Sequence, residues 1–166
     1  MSSAEPPVLP PPSAHRGDRP ATAPAPPSSV VVVGAGLAGA QTVGALRRRG
    51  YTGRVTLLGA EGVPPYDRPP LSKELLSRTS PAWLAEDLGV DVEALADEVR
   101  LADAAVRLER RSAPEGGTWE VATRSGERRT ADAVVLAVGS TPVRPVGWEH
   151  ARVLHTARDA EDLREA

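Results

Sequence analysis

The chain has 166 residues, of which 40% are hydrophobic and 25% charged, which is typical of one globular domain with a tail. A net charge of −2 gives no electrostatic reason to expect nucleic acid or an anionic membrane as partner. Cysteine is absent, which excludes disulfides, thiolate metal sites and a redox-active dithiol, and we expect no metal site. No apolar run approaches the roughly 20 residues of a membrane span, and the N-terminus lacks the apolar stretch of a secretory signal. We therefore expect a cytoplasmic protein.

The first 28 residues are rich in proline and poor in large apolar side chains. Nine of the 17 prolines of the chain lie in this segment. A segment of this composition cannot bury enough apolar surface to offset the entropy lost on ordering. We therefore predict a disordered tail over residues 1–28, with the folded part beginning at Ser29.

A strand–helix–strand unit is predicted next. The β-branched run Val30–Val33, bounded by glycine, is typical of a strand that is buried on both faces. The pattern then becomes helical up to a stop at Gly50, and Arg54–Leu58 predicts a second strand after a right-handed crossover. The predicted apolar stripe of the helix consists of Leu37, Ala40, Val43 and Leu46.

The proline-rich stretch after this unit indicates a loop, followed by a short helix around Ser72–Leu76. Ser80 before Pro81 is typical of a helix start and predicts a helix that ends before Gly89. A weaker pattern over Asp91–Val99 predicts another helix.

The second half of the chain predicts mainly strands. A buried strand is predicted over Ala131–Ser140, and a charged helix begins at Ala157. Before them, three short alternating segments separated by glycine-rich turns, one of them at Pro114–Gly117, predict a small antiparallel meander. These segments are Ala105–Glu109, Thr118–Thr123 and Arg128–Thr130.

The pattern Gly34-x-Gly36-x-x-Gly39 follows the first strand directly and opens the predicted helix. In this setting the first glycine permits a tight turn, the second lets a pyrophosphate approach the backbone, and the third lets helix and strand pack closely. The helix N-terminus offers free N–H groups and a partial positive charge. The pattern predicts a dinucleotide site, and a merely structural glycine-rich turn is the alternative.

A dinucleotide site of this type also needs a carboxylate about 20 residues further on, which accepts hydrogen bonds from the ribose hydroxyls. Glu61 is the acid that follows the second predicted strand at this distance. We therefore predict Glu61 as the ribose ligand; a solvated loop acid is the alternative.

Three stretches carry a resemblance to a known family: "VVVGAGLAGA" from Val31, "YDRPPLSK" from Tyr66 and "VVLAVGSTPVRP" from Val134. Together they closely resemble the flavin-dependent ferredoxin/rubredoxin reductases of the pyridine nucleotide-disulphide oxidoreductase superfamily. The resemblance covers the chain from about Val30 onward, and the octapeptide is far more specific than the glycine motif. It implies an α/β fold, a Rossmann-like three-layer domain with a parallel sheet and a small antiparallel β-meander. It also implies FAD, rather than NAD, as the bound cofactor.

The resemblance also implies roles for residues of the octapeptide and the glycine motif. Arg68 and Pro69 are expected beside the pyrophosphate and the flavin. Lys73 is expected near the isoalloxazine, where a cation favours the anionic reduced flavin; a surface lysine that caps a short helix is the alternative. The residues of the glycine motif expected at the cofactor are Gly34, Gly36, Leu37, Ala38 and Gly39.

Further cofactor contacts are implied in the second half of the chain. Gly139 would keep the backbone close to the cofactor, and Val138 stands where the family usually has a threonine. His155 stands where the family commonly has an arginine on the flavin phosphates, and an imidazole is a weaker, pH-dependent partner. A loop histidine without a role is the alternative. Ala105 matches a position whose backbone meets the adenine.

Reductases of this type continue with a second nucleotide-binding domain for NAD(P)H, return to the FAD domain and end with an interface domain. This chain has one glycine motif. We therefore expect residues 29–156 to form the N-terminal part of the FAD domain and residues 157–166 to begin the crossover to the next domain. The chain would be an N-terminal fragment or be completed by a downstream polypeptide, and we expect it to be inactive alone.

By resemblance, the complete enzyme is an FAD-dependent NAD(P)H oxidoreductase that passes electrons through FAD to a ferredoxin, rubredoxin or Rieske-type carrier. The cofactor performs the chemistry, so no catalytic acid or base is expected from this part. One alternative is a non-enzymatic truncated Rossmann module, or a remnant, that binds FAD or a nucleotide weakly or not at all. Another alternative is a fragment of an NAD-dependent dehydrogenase, which the octapeptide disfavours.

Overall fold

The structure of the protein is a computed structural model that describes residues 25–112 and 117–166. In these ranges the strands are β1 Ser29–Val33, β2 Arg54–Leu58, β3 Tyr66–Asp67, β4 Ala82–Trp83, β5 Glu98–Arg100, β6 Ala105–Arg111, β7 Thr118–Thr123, β8 Arg128–Ala131 and β9 Ala133–Leu136. The helices are α1 Leu37–Arg48, α2 Pro69–Lys73, α3 Leu84–Asp87, α4 Val92–Leu95 and α5 Ala157–Arg164.

Four strands form a parallel sheet in the order β5-β2-β1-β9. In the middle of the sheet, Val31 of β1 lies between Thr56 of β2 and Val134 of β9. Because all four strands run the same way, their carboxyl ends meet at one edge. The strand order reverses between β1 and β9, and in open α/β sheets such a reversal marks the place where ligands bind.

The sheet is covered on both faces, which explains why β1 is a continuous apolar run. Val30 and Val32 pack toward α1, where they meet Val43. Val31 and Val33 point to the other face and pack against residues of the meander. Each valine loses nearly all of its exposed surface, and burial of such a side chain is worth roughly 1.5–3 kcal/mol.

The meander consists of β6, β7 and β8, paired antiparallel in that order. The structure therefore confirms the α/β fold with a parallel sheet, an antiparallel meander and a three-layer arrangement. β6 extends two residues beyond the predicted segment. Residues 114–116 of the predicted turn at Pro114–Gly117 lie outside the described residues.

Four predicted elements differ from the structure. The helix predicted around Ser72–Leu76 begins earlier, since two prolines occupy the first turn of α2. The helix predicted from Pro81 is wrong at its start, because the chain first forms β4, which pairs with β3. The helix predicted over Asp91–Val99 ends at Leu95 and gives way to β5. The strand predicted over Ala131–Ser140 is shorter at both ends: Ala131 belongs to β8, and β9 ends at Leu136.

The two ends of the described chain are held against the rest. Residues 1–24 of the predicted tail lie outside the described residues. Ser28, the last residue of the predicted tail, donates hydrogen bonds from its N–H (2.8 Å) and its hydroxyl to Asp132. At the other end, Thr156 caps α5 and forms a capping box with Asp159. The helix then packs against α2 through a small apolar cluster around Tyr66.

Candidate dinucleotide-binding site

A pocket of about 530 Å³ lies at the carboxyl edge of the parallel sheet. Residues 34–38 after β1, residues 60–61 after β2, Leu101 after β5 and residues 136–139 at the end of β9 line it. The loop and helix start at residues 66–69 close one side. Because all four strand ends contribute, the pocket occupies the place where the strand order reverses.

Two of the three motif glycines are required by the fold itself. Gly34 has a φ of +110°, and a Cβ there would lie 2.1 Å from the carbonyl oxygen of Ala137. A Cβ on Gly39 would lie 1.8 Å from the carbonyl oxygen of Gly34. These distances are far below van der Waals contact. Gly34 therefore lets β1 turn beside β9, and Gly39 lets α1 lie close to that turn.

Gly36 is different, because nothing in the described chain requires a glycine there. Its φ of −80° suits any residue, and a Cβ would meet no atom of the described residues within 4 Å. Gly36 lines the pocket. A glycine at this place keeps that space free for a group that does not belong to the chain.

The N-terminus of α1 points into the same space. Gly36 is the N-cap residue and supplies no side-chain cap, and the first turn contains no acidic residue. The first helical bond runs from the Ala40 N–H to the Gly36 carbonyl (3.0 Å), which leaves the preceding N–H groups without an intrahelical acceptor. Such N–H groups, with the positive end of the helix dipole, bind phosphate.

A hydrogen-bonded group of three side chains lies across the pocket from α1. The Tyr66 hydroxyl donates to Glu61 Oε2 (2.6 Å). Arg68 donates to the other oxygen of Glu61 and to the backbone carbonyl of His155. The Arg68 guanidinium also lies 5.4 Å from the centre of the Tyr66 ring. The predicted ribose ligand and the predicted phosphate partner are thus neighbours in this structure.

Burial raises the pKa of Tyr66. The side chain is 4% exposed, and burial, followed by its hydrogen bond to Glu61, raises the pKa of the phenol to about 12. A phenol is protonated at physiological pH even at its ordinary pKa of 10, so the hydroxyl is a donor to the carboxylate, and the shift strengthens this state.

The structure brings most of the predicted site residues together. Gly139 lines the pocket with a φ of +70°, and a Cβ there would meet no atom of the described chain within 4 Å. Val138 beside it lines the pocket and is exposed. The other predicted residues in the lining are Gly34, Gly36, Leu37, Ala38, Glu61, Arg68 and Pro69.

Four predicted residues do not line the pocket. Gly39 lies beneath it, where its contact with Gly34 shapes the turn. Lys73 is exposed at the end of α2. Ala105 begins β6 and packs beside the core under the meander. His155 contacts Arg68 of the site through its carbonyl, and it also lines a separate depression.

Several residues that line the pocket were not among the predicted site residues, and three of them show why. Ala35 lies between the motif glycines and carries no pattern of its own. Leu101 follows β5, a strand that the sequence did not indicate, so its position at the carboxyl edge could not be predicted. Tyr66 belongs to the octapeptide, but no role was predicted for its hydroxyl.

A second depression of about 530 Å³ is lined by charged side chains of α5 and of the preceding loop, and contains none of the predicted site residues. Within residues 25–112 and 117–166, no three His, Asp or Glu side chains form a group that could hold a metal ion. None of the helices in the described ranges has the length and apolarity that crossing a membrane requires.

Comparison with known proteins supports the resemblance. The family of pyridine nucleotide-disulphide oxidoreductases matches residues 28–166. Among curated proteins, the ferredoxin–NAD(+) reductase component of the p-cumate 2,3-dioxygenase system of Pseudomonas putida is 32% identical over 136 residues, which is 81% of this chain and 32% of that protein. The rubredoxin–NAD(+) reductase of Pseudomonas putida is 32% identical over 143 residues, which is 82% of this chain and 35% of that protein.

Solved structures agree. The ferredoxin reductase for the CYP199A2 system of Rhodopseudomonas palustris is 28% identical with a TM-score of 0.63, over 83% of this chain and 34% of that one. Putidaredoxin reductase, in a covalent complex with putidaredoxin, is 27% identical with a TM-score of 0.56, over 82% of this chain and 33% of that one. The chain thus spans about a third of the length of these relatives. It belongs to the pyridine nucleotide-disulphide oxidoreductase family, in agreement with the resemblance that its motifs carry.

Proposed function

We propose that the chain forms the FAD-binding part of an NAD(P)H-dependent reductase that passes electrons to a ferredoxin, rubredoxin or Rieske-type carrier. The observation that carries this proposal is the free space at Gly36. A glycine that the fold does not need, at an uncapped helix N-terminus where the strand order reverses, suits the pyrophosphate of a dinucleotide.

The residues of the pocket fit the parts of FAD in sequence along its edge. The N–H groups at the start of α1 would hold the phosphates. Glu61, at the end of β2, would accept hydrogen bonds from the ribose of the adenosine half. Gly139 offers backbone without a side chain at the end of β9, where a flat ring could lie close. With FAD held there by these residues, the site would gain a group that can accept a hydride and pass on single electrons.

Arg68 and Glu61 must change partners when the dinucleotide binds. In the structure they form an ion pair at the pocket, with side chains that are 38% and 32% exposed. A partly exposed pair of this kind contributes little to stability, typically about 0–1 kcal/mol. Its opening therefore costs little, and it leaves the carboxylate free for hydroxyl donors and the guanidinium free for a phosphate.

The proposed partner classes rest on the relatives. Their names describe reductases that serve ferredoxin or rubredoxin, and one solved relative is bound to putidaredoxin. The chain spans about a third of their length, and on this proposal the NAD(P)H site belongs to another part of the complete enzyme. On this proposal, residues 29–156 are the N-terminal part of the FAD domain and residues 157–166 begin the crossover. The predicted cytoplasmic location also stays part of the proposal, and cell fractionation tests it.

FAD binding by the full 166-residue chain tests the proposal directly. We expect purified protein to bind FAD, measured by titration calorimetry and by flavin absorbance retained after gel filtration. Without the NAD(P)H domain, we expect no steady turnover of NADH with an electron-accepting dye. A colourless protein that binds no FAD would overturn the proposal and favour the non-enzymatic remnant.

A variant at Gly36 separates binding from folding. Gly36→Ser introduces a good N-cap residue, so α1 should keep its stability, but the side chain fills the space at the pyrophosphate position. We expect the melting temperature to stay at or above the wild-type value, while FAD binding is lost. Asp91→Ser is the matched control, since it exchanges the N-cap residue of α4 away from the pocket and should leave FAD binding unchanged.

A further inference from the structure

The hydroxyl of Tyr66 connects two parts of the chain that the proposed function does not link. It donates to Glu61 Oε2 (2.6 Å) at the pocket. It also accepts a hydrogen bond from the backbone N–H of Ala157 (3.0 Å), the first residue of α5. One buried oxygen atom therefore contacts both the predicted ribose ligand and the helix that leads out of the FAD-binding fold.

Packing alone does not explain the hydroxyl. The Tyr66 ring packs at right angles to Trp83, with 6.2 Å between ring centres, and belongs to an apolar cluster with Leu71 and Ala160. A phenylalanine would fill the same space. The hydroxyl adds polar contacts: those with Glu61 and Ala157, and a longer one from the Arg68 guanidinium (3.4 Å). A polar group is costly to bury unless it makes such contacts.

The contact at Ala157 satisfies a group that the helix cannot satisfy itself. The first N–H groups of an α-helix lack an intrahelical acceptor, and the Thr156 and Asp159 capping box serves the neighbouring positions. Tyr66 thus supplies the acceptor that allows α5 to begin at this buried place.

We infer that Tyr66 is a positioning residue that holds the Glu61 carboxylate at the pocket and couples occupancy of the pocket to the docking of α5. The inference rests on the proposed function. When the ribose replaces Arg68 as the donor to one oxygen of Glu61, Tyr66 keeps its hold on the other oxygen. The carboxylate then meets the ribose in one rotamer, which lowers the entropy lost on binding.

Arg68 adds a second connection along the same route. It donates to Glu61 and to the carbonyl of His155, two residues before α5. A move of Arg68 toward a phosphate would release that carbonyl. Tyr66 would then remain as the direct hydrogen-bonded link between Glu61 and the start of α5, so its contribution should be larger in the bound state.

The first experiment compares the two tyrosines of the chain in FAD titrations of the full protein. Tyr66→Phe keeps the ring and removes the hydrogen bonds of the hydroxyl to Glu61, Ala157 and Arg68. We expect FAD affinity to fall about tenfold. Tyr51→Phe is the matched control, because the Tyr51 hydroxyl is buried without a hydrogen-bond partner in the described residues. Its affinity should equal the wild-type value. Equal affinity of Tyr66→Phe and wild type would overturn the inference.

A double-mutant cycle shows whether Tyr66 acts through Glu61. Glu61→Ala removes the carboxylate, so adding Tyr66→Phe should then have almost no further effect on FAD affinity. A second comparison uses ADP and 2′,3′-dideoxy-ADP as probes. Tyr66→Phe should lower the affinity for ADP and leave the affinity for the dideoxy probe unchanged. That probe lacks the ribose hydroxyls that would donate hydrogen bonds to Glu61. Additive effects, or equal losses for both probes, would overturn the assigned route.

Amide hydrogen exchange tests the coupling to α5. Saturating FAD should slow exchange at Ala157 in the wild type and in Tyr51→Phe, but not in Tyr66→Phe. Glu61→Ala leaves the ring and α5 untouched and should also abolish this response, which keeps the test valid if Tyr66→Phe folds poorly. Wild-type protein that binds no FAD would overturn the proposed function itself, whereas FAD binding without protection of Ala157 would overturn only the coupling.

Discussion

The amino edge and the carboxyl edge of the parallel sheet use their backbone N–H groups in opposite ways. At the amino edge, side chains of the protein satisfy them. Asp132, just before β9, accepts hydrogen bonds from the N–H groups of Ser28 (2.8 Å) and Ser29 (3.1 Å) at the start of β1. Asp97, just before β5, accepts from the N–H of Val55 in β2 (2.7 Å). Neighbouring strands are thereby tied together where they begin.

At the carboxyl edge, the first N–H groups of α1 have no side-chain acceptor in the described chain. α1 begins at Gly36 without a side-chain cap, and both Gly36 and Gly139 face open space. The difference teaches how one sheet separates its tasks. Residues at the amino edge hold the strands in place, and residues at the carboxyl edge keep backbone donors and space available for a ligand.

The largest expected effect is on stability and concerns Gly39, a residue of the carboxyl edge that serves the fold and not the ligand. Gly39→Ala places a Cβ 1.8 Å from the Gly34 carbonyl oxygen, so either the turn or α1 must move. We expect the free energy of unfolding to fall by about 3 kcal/mol or more, measured by urea denaturation. Near wild-type stability would show that the turn can yield, and that Gly39 does not serve the fold.

At the amino edge, Glu98 tests whether residues there serve stability and not ligand binding. This carboxylate joins β5 to the meander, because it accepts a hydrogen bond from Arg129 of β8 (2.7 Å). It also accepts one from Arg100 within β5 (3.1 Å). Arg129, followed by Arg100, lowers the pKa of Glu98 to about 2. Glu98→Gln should lower the free energy of unfolding by about 1–2 kcal/mol at pH 7, after allowance for solvent screening, and leave FAD affinity unchanged.

The pH dependence of this effect has a defined sign. The pKa of Glu98 is lower in the folded chain than its ordinary value of 4.5, so between these values the unfolded state binds the proton more strongly. The stabilisation is complete above pH 4.5 and is lost as the pH falls toward 2. Urea denaturation from pH 7 to pH 3 should therefore show wild type and Glu98→Gln converging. A constant difference would contradict the assignment to this carboxylate.

The sequence predicted the elements whose causes are local. β1, α1 and β2 follow from apolar periodicity and glycine positions within one continuous stretch, and the structure confirms all three. β4 and β5 were missed because they are two and three residues long and exist through pairing with distant strands. A short segment of this kind carries no periodicity, so a helix was predicted in its place.

The site was predictable to the same extent. The glycine motif and Glu61 follow from strand ends that the sequence indicates, and they line one pocket. Leu101 could not be placed, because its strand was not predicted. The contacts of Tyr66 join residues up to 91 positions apart, and no sequence pattern reports such a hydrogen bond.

The smallest expected effect concerns Leu37, the residue for which helical periodicity and the structure disagree. The pattern places Leu37, Ala40, Val43 and Leu46 on one apolar stripe, and the resemblance places Leu37 at the cofactor. In the structure, Val43 is buried in the core, while Leu37 is 42% exposed and lines the pocket. Residues of the first turn of α1 have different surroundings: Ala40, in the same turn as Leu37, is buried in a cluster with Val32 of β1, whereas Leu37 lies at the pocket.

Leu37→Ala should therefore change the free energy of unfolding by less than about 0.5 kcal/mol, whereas Val43→Ala on the same stripe should cost about 2 kcal/mol. FAD titration supplies the other half of the comparison. Leu37→Ala should weaken FAD binding, though less than Gly36→Ser does, because it removes an apolar contact without blocking the phosphate position. If Leu37→Ala destabilised the protein as much as Val43→Ala, the Leu37 side chain would belong to the core, and its place at the carboxyl edge would not be reserved for a ligand.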